Sequence, residues 1–101
     1  MKLNVDVILK DLDGNELKDG EKSVTLKSVI VNALTMLGKN DESMTGPDKF
    51  VLYTIAQVVH KGGDIELTAE EIVKIKERVG KFYTPIVVGN VFNLLENKEI
   101  K

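Results

Sequence analysis

The stretch 65–96, IELTAEEIVKIKERVGKFYTPIVVGNVFNLLE, carries two helix starts with a break between them, and the other elements of this 101-residue chain are read outward from it. Thr68 ahead of Ala69-Glu70-Glu71 forms a capping box, in which the hydroxyl accepts from the Glu71 amide and the Glu71 carboxylate accepts from the Thr68 amide. Leu67 and Ile72 flank the cap as a hydrophobic staple, and Ile72, Ile75 and Val79 continue one apolar stripe at helical spacing. Gly80 is expected to close this helix as its C′ residue. Thr84-Pro85 then opens a second helix, predicted over 85–96, because proline fits the first helical position.

At about 100° per residue, Val87, Val88, Val91, Phe92, Leu94 and Leu95 fill one broad arc of that last helix, which predicts a place at the centre of the core. Asn90, Asn93 and Asn97 share a narrow strip on the other side. With 30% of residues charged, an uncharged polar strip is a candidate surface for a second copy or a partner, set against the plainer reading of a solvated face.

Towards the N-terminus, Leu3, Val5, Val7 and Leu9 alternate with polar residues, the period-two pattern of a half-buried strand that only Ile8 breaks. Asp11 to Asn15 is a turn, and Glu16-Leu17-Lys18 returns as the second strand of a hairpin. Thr25 caps a helix in which Leu26, Val29, Ile30, Ala33, Leu34 and Leu37 recur at helical spacing, with Val24 as staple and Gly38 as stop. Residues 39–46, KNDESMTG, read as a polar loop. Pro47 and Asp48 start another helix, apolar over Phe50, Val51, Leu52, Ile55, Ala56, Val58 and Val59, which His60-Lys61 and Gly62-Gly63 end. Asp64 to Leu67 offers a short third strand. The expectation is an α+β domain over 1–96, a hairpin-based sheet packed with about four helices, and a frayed polar tail over 97–101.

Composition narrows function mainly by exclusion. A formal charge of −2 with mixed Lys and Glu argues against a general polyanion binder, and a chain without cysteine has neither thiol nucleophile nor thiolate metal site. The N-terminus lacks the continuous apolar run of a signal peptide, and no segment is long enough to span a membrane, so a cytoplasmic location is expected.

The hairpin opening with Leu9-Lys10-Asp11-Leu12-Asp13-Gly14, and above all the run from Glu66 through Val79-Gly80-Lys81-Phe82-Tyr83-Thr84-Pro85 to Gly89, resembles small uncharacterised proteins of tailed bacteriophages and prophages. Its motifs are caps, glycine stops and apolar stripes. The resemblance implies an accessory or regulatory role inside a host cell, and carries no activity or binding residues with it.

Each candidate for chemistry has a structural reading beside it. Asp11 to Glu16 approaches a calcium loop, but its glycine comes early and Lys22 stands where the bidentate Glu belongs. His60 is the only histidine and has no placed carboxylate or nucleophile. Gly62-Gly63 lacks the further glycines of a phosphate loop and reads as a helix stop. No cofactor is implied. A helix-turn-helix reading of 68–96 fails because the second helix has no Arg or Lys before Lys98 to meet a base. A better nucleic-acid surface is Lys74, Arg78 and Lys81 at i, i+4 and i+7, with Tyr83 for stacking, although Glu70 and Lys74 also read as a simple i,i+4 pair. The leading expectation is a non-enzymatic interaction protein, self-assembling or binding a phage or host protein, with nucleic-acid binding as the alternative.

Overall fold

The N-terminal strand finds its partner far along the chain. In the computed structural model, which describes residues 2–96, β1 (Lys2–Asn4) pairs antiparallel with β4 (Asp64–Glu66), setting Leu3 opposite Ile65. Those two side chains are buried on the inner face while Lys2, Asn4, Asp64 and Glu66 point outward, the alternation the sequence predicts. Between these strands lie β2 (Lys18–Asp19) and β3 (Lys22–Ser23), a tiny separate hairpin, then α1 (Leu26–Thr35), a 3₁₀ helix (Lys39–Ser43) and α2 (Gly46–His60). After β4 come α3 (Ala69–Phe82) and α4 (Pro85–Leu95), completing an α+β fold with four α-helices. The expected tail at 97–101 lies outside the described residues.

The first strand is shorter than its alternation predicts. The Asn4 side chain accepts from the Asp6 amide at 2.9 Å and folds the chain into a turn, so the period slips: Val5 and Leu9 are buried but Val7 is exposed. The predicted hairpin across the Asp11–Asn15 turn survives as a single bridge between Lys10 and Glu16 and a bond from the Leu17 amide to the Leu9 carbonyl. Asp11 closes that turn by accepting from the amides of Asp13 and Asn15, both at 2.9 Å. Behind the N-terminal segment, Gly62 and Gly63 take positive φ of 77° and 68°. That conformation lets the Gly63 amide donate to Asp6 and its carbonyl accept from Val5.

The core is organised on α1. Leu26, Val29, Ile30, Ala33 and Leu34 are all buried, and the helix packs on α2 to one side and α3 to the other, with Leu52, Ile55, Val59, Ile75 and Val79 facing it within one cluster. Thr25 and Ser28 cap it reciprocally. The prediction that the last helix is central is corrected: α4 fully buries only Val91 and Leu95, because it sits at the end of the chain with α3 as its main helical neighbour. Two helix ends also move. α1 stops at Thr35 rather than at Gly38, which leaves Leu37 exposed, and α3 runs through Gly80 to Phe82. What ends α3 is the extended backbone of Tyr83 and Thr84, the conformation favoured ahead of Pro85.

Candidate interaction surface

The four residues of the predicted nucleic-acid face do not share a surface. Lys74 is exposed, but Arg78, on the buried side of α3, is only 6% exposed. Its guanidinium donates to both oxygens of Asp41, at 2.8 and 3.0 Å, and to the carbonyls of Met36 at 2.6 Å and Ala33 at 3.3 Å. The last two bonds satisfy carbonyls that the end of α1 leaves open, so Arg78 caps a helix other than its own. Lys81 also reaches Asp41, at 2.8 Å, and both cations lie over the Phe82 ring. Tyr83 is half-buried in a cleft on another side, beside Lys18 and Lys22.

Asp41 belongs to the segment read as a polar loop, and that reading is corrected. The carboxylate is buried at the heart of the 3₁₀ helix, where it accepts from the Gly38 amide at 2.6 Å as well as from Arg78 and Lys81. Arg78 above all, then Lys81 and the Gly38 amide, hold its carboxyl far below the ordinary carboxylate value of 3.8, against the opposing effect of burial. Two signs of it stood in the sequence: Gly38 precedes Asp41 at capping-box spacing, and Arg78 is the one arginine among 14 cationic residues. A fork of parallel donors is what arginine supplies and lysine does not.

The asparagine strip is divided as well. Asn90 is turned inward, donating to the Lys10 carbonyl at 2.8 Å and to the Ile86 carbonyl at 2.7 Å and accepting from the Lys10 amide at 3.3 Å. It clamps α4 to the end of the N-terminal segment. Asn93 is exposed, and Asn97 lies outside the described residues. His60 is exposed at the end of α2, and among the described residues no group of three or more His, Asp or Glu is placed to hold a metal ion.

The surface the sequence missed is the outer side of α2. The helix buries Leu52, Ile55, Ala56 and Val59, at i, i+3, i+4 and i+7, so the remaining apolar residues of its wide arc fall outside the core. Phe50 is 67% exposed, Val51 46% and Tyr53 54%, so Phe50 and Val51, read as part of the apolar arc of this helix, stand largely in solvent. The Phe50 and Tyr53 rings lie 6.4 Å apart and form a crest. On one side of it a groove runs between α2 and α3, past Val51 and Ile55 on α2 and Glu70 and Lys74 on α3. On the other side a hollow joins Tyr53 to Leu37, itself 66% exposed, and to Met44. The exposed parts of Leu37, Phe50, Val51 and Tyr53 come to on the order of 400 Å², a size at which the largest apolar patch of a monomer is often functional.

No described helix is long and apolar enough to cross a membrane. No family model, no curated protein and no solved structure matches the chain.

Proposed function

We propose that this chain is a non-enzymatic interaction protein that assembles with itself through the outer side of α2. The observation that carries the reading is the aromatic crest of Phe50 and Tyr53 standing between two apolar hollows. A crest flanked by grooves is self-complementary under a two-fold axis, since the crest of each copy enters a groove of the other. The patch supplies about half of the roughly 800 Å² that one partner of a standard interface buries, and the polar rim of Lys49, Glu70 and Lys74 supplies further area. With the resemblance carried by residues 66–89, the setting is an accessory protein of a tailed phage or prophage, working inside the host cell. The nucleic-acid alternative gains no support, because Arg78 is withdrawn from solvent and Lys81 is tied to Asp41.

The test is light scattering on a sizing column at physiological salt, on the wild type and on Phe50→Asp/Tyr53→Asp. The expected wild-type mass is that of two chains or more, falling to the 11.2 kDa of one chain in the variant with its circular dichroism unchanged. A wild type that stays monomeric at hundreds of micromolar overturns the reading.

A further inference from the structure

From a cleft on another side of the molecule, we infer that the chain binds a small amphipathic anion, an apolar body of medium-chain length carrying a carboxylate. The cleft has a volume of about 420 Å³ and lies between the β2–β3 hairpin, the first turns of α1 and the joint of α3 and α4. That volume is at the small end of the roughly 300–1,000 Å³ of small-molecule sites. The hairpin is exposed throughout its tip, residues 18–22. Leu17, Val24 and Val87 remain half-buried beneath it although they pack on the core, and Val29 forms the floor.

Among the polar side chains around these apolar walls Lys18 and Lys22 only donate, while Ser23, Ser28, Asn32 and Tyr83 can donate or accept. Lys18 and Lys22 stand at the rim, and among the described residues neither ammonium lies in an ion pair. Tyr83 and Asn32 also line the cleft, and neither the hydroxyl nor the carboxamide has an intramolecular hydrogen bond among those residues. One carboxylate lines the cleft with them, Asp19, which faces Lys22 across the two-residue ladder, so the lining residues keep one net positive charge, while Glu21 at the exposed turn of the hairpin is not among them. Apolar walls with a cationic rim complement a ligand that is apolar at one end and anionic at the other. None of these residues belongs to the α2 patch, so the inference is independent of self-assembly.

The probe is octanoate, titrated into isotope-labelled protein and followed by the backbone amide spectrum, with octan-1-ol as the neutral control. Saturable shifts are expected at Leu17, Val24, Val29 and Val87, with octanol binding about fivefold more weakly for want of two rim contacts. In Lys18→Gln/Lys22→Gln, whose side chains are exposed and spare the fold, octanoate falls to the octanol level while octanol is unchanged. Val87→Trp, which fills the cleft, abolishes both. No saturable shift up to the solubility limit, shifts gathered instead on Leu37, Phe50 and Tyr53, or equal binding of acid and alcohol would each overturn the assignment.

Discussion

Arg78 grips both carboxylate oxygens of Asp41 from 37 residues away, and with its remaining donors closes the end of α1 on the carbonyls of Ala33 and Met36. One side chain thereby fixes α3, the 3₁₀ helix and the C-terminal end of α1 relative to one another. Each partner is buried and each charge has several hydrogen bonds, the condition under which an ion pair survives removal from water. Gly38 is part of the same joint. A Cβ added there would stand 2.9 Å from Lys81 Cε and 3.1 Å from the Phe82 ring, so the end of the lysine chain and the ring would have to give way for it.

Removing one partner is therefore worse than removing both. Arg78→Ala leaves the Asp41 carboxylate buried with only Lys81 and the Gly38 amide and strips two carbonyls of their donor, and should lower the melting temperature by roughly 10 °C or more. Arg78→Leu combined with Asp41→Leu should melt above Arg78→Ala, because the only charge left without its partner is the partly solvated Lys81 ammonium. Lys81→Ala should cost only about 1–3 °C, its ammonium being partly solvated. Thermal unfolding followed by circular dichroism gives the order, and an Arg78→Ala that melts with the wild type would show that the clamp contributes nothing.

The same clamp gives stability a pH dependence of known sign. The folded-state pKa of Asp41 is depressed below its ordinary 3.8 by Arg78, Lys81 and the Gly38 amide, so at low pH the unfolded chain takes up the proton first. The contribution is complete above about pH 5 and is lost as pH falls from about 4 towards the folded-state value. Asp41→Asn never has it. Urea midpoints at pH 7, 5 and 3 should show wild type and variant converging at the acid end, and a constant difference across that range would dissociate Asp41 from the acid response.

The sequence exposed the elements better than their neighbours. Thr25 and Thr68 start helices with reciprocal caps where caps are expected, and α2 begins at Thr45, inside the segment that reads as loop, with a cap equally local in the chain. Asp64 to Glu66 is a strand as expected, but its pairing with β1 depends on contacts 60 residues apart that no local pattern encodes. The surfaces failed for a related reason. Periodicity tells that α2 has an apolar arc, yet how much of the arc is covered depends on how far α2 and α3 diverge, and that left Phe50 and Val51 in solvent. Lys74, Arg78 and Lys81 fit a basic stripe equally well in projection, and only the fold brings Asp41 to the middle of it.

Asn90 and Asn93 look alike on a helical projection and should behave differently. Asn90→Ala deletes three hydrogen bonds between a half-buried carboxamide and main-chain groups of Lys10 and Ile86, a loss of about 1–2 kcal/mol. Asn93→Ala removes an exposed side chain with no hydrogen bond among the described residues and should stay within about 0.5 kcal/mol of wild type. Chemical denaturation of the two variants decides it. Equal midpoints would mean that the α4 clamp on Lys10 is not a stabilising contact.

Phe50 and Leu52 make the sharpest contrast on α2, two apolar residues one position apart from being equivalent. Leu52 is buried between α1 and the groove, so Leu52→Ala opens a cavity and should cost about 2–5 kcal/mol. Phe50 lies on the crest with most of its ring in water, so Phe50→Ser gives up little folded-state burial and should change stability by no more than about 0.5 kcal/mol when the chain is monomeric. In an assembled chain the same substitution acts through the oligomer instead. Its effect on the melting temperature should then grow with protein concentration, because dilution already does to the wild type what serine does to the variant. Melting curves of wild type and Phe50→Ser over a hundredfold concentration range separate the cases. Two parallel, concentration-independent sets would leave the aromatic crest without a role in assembly.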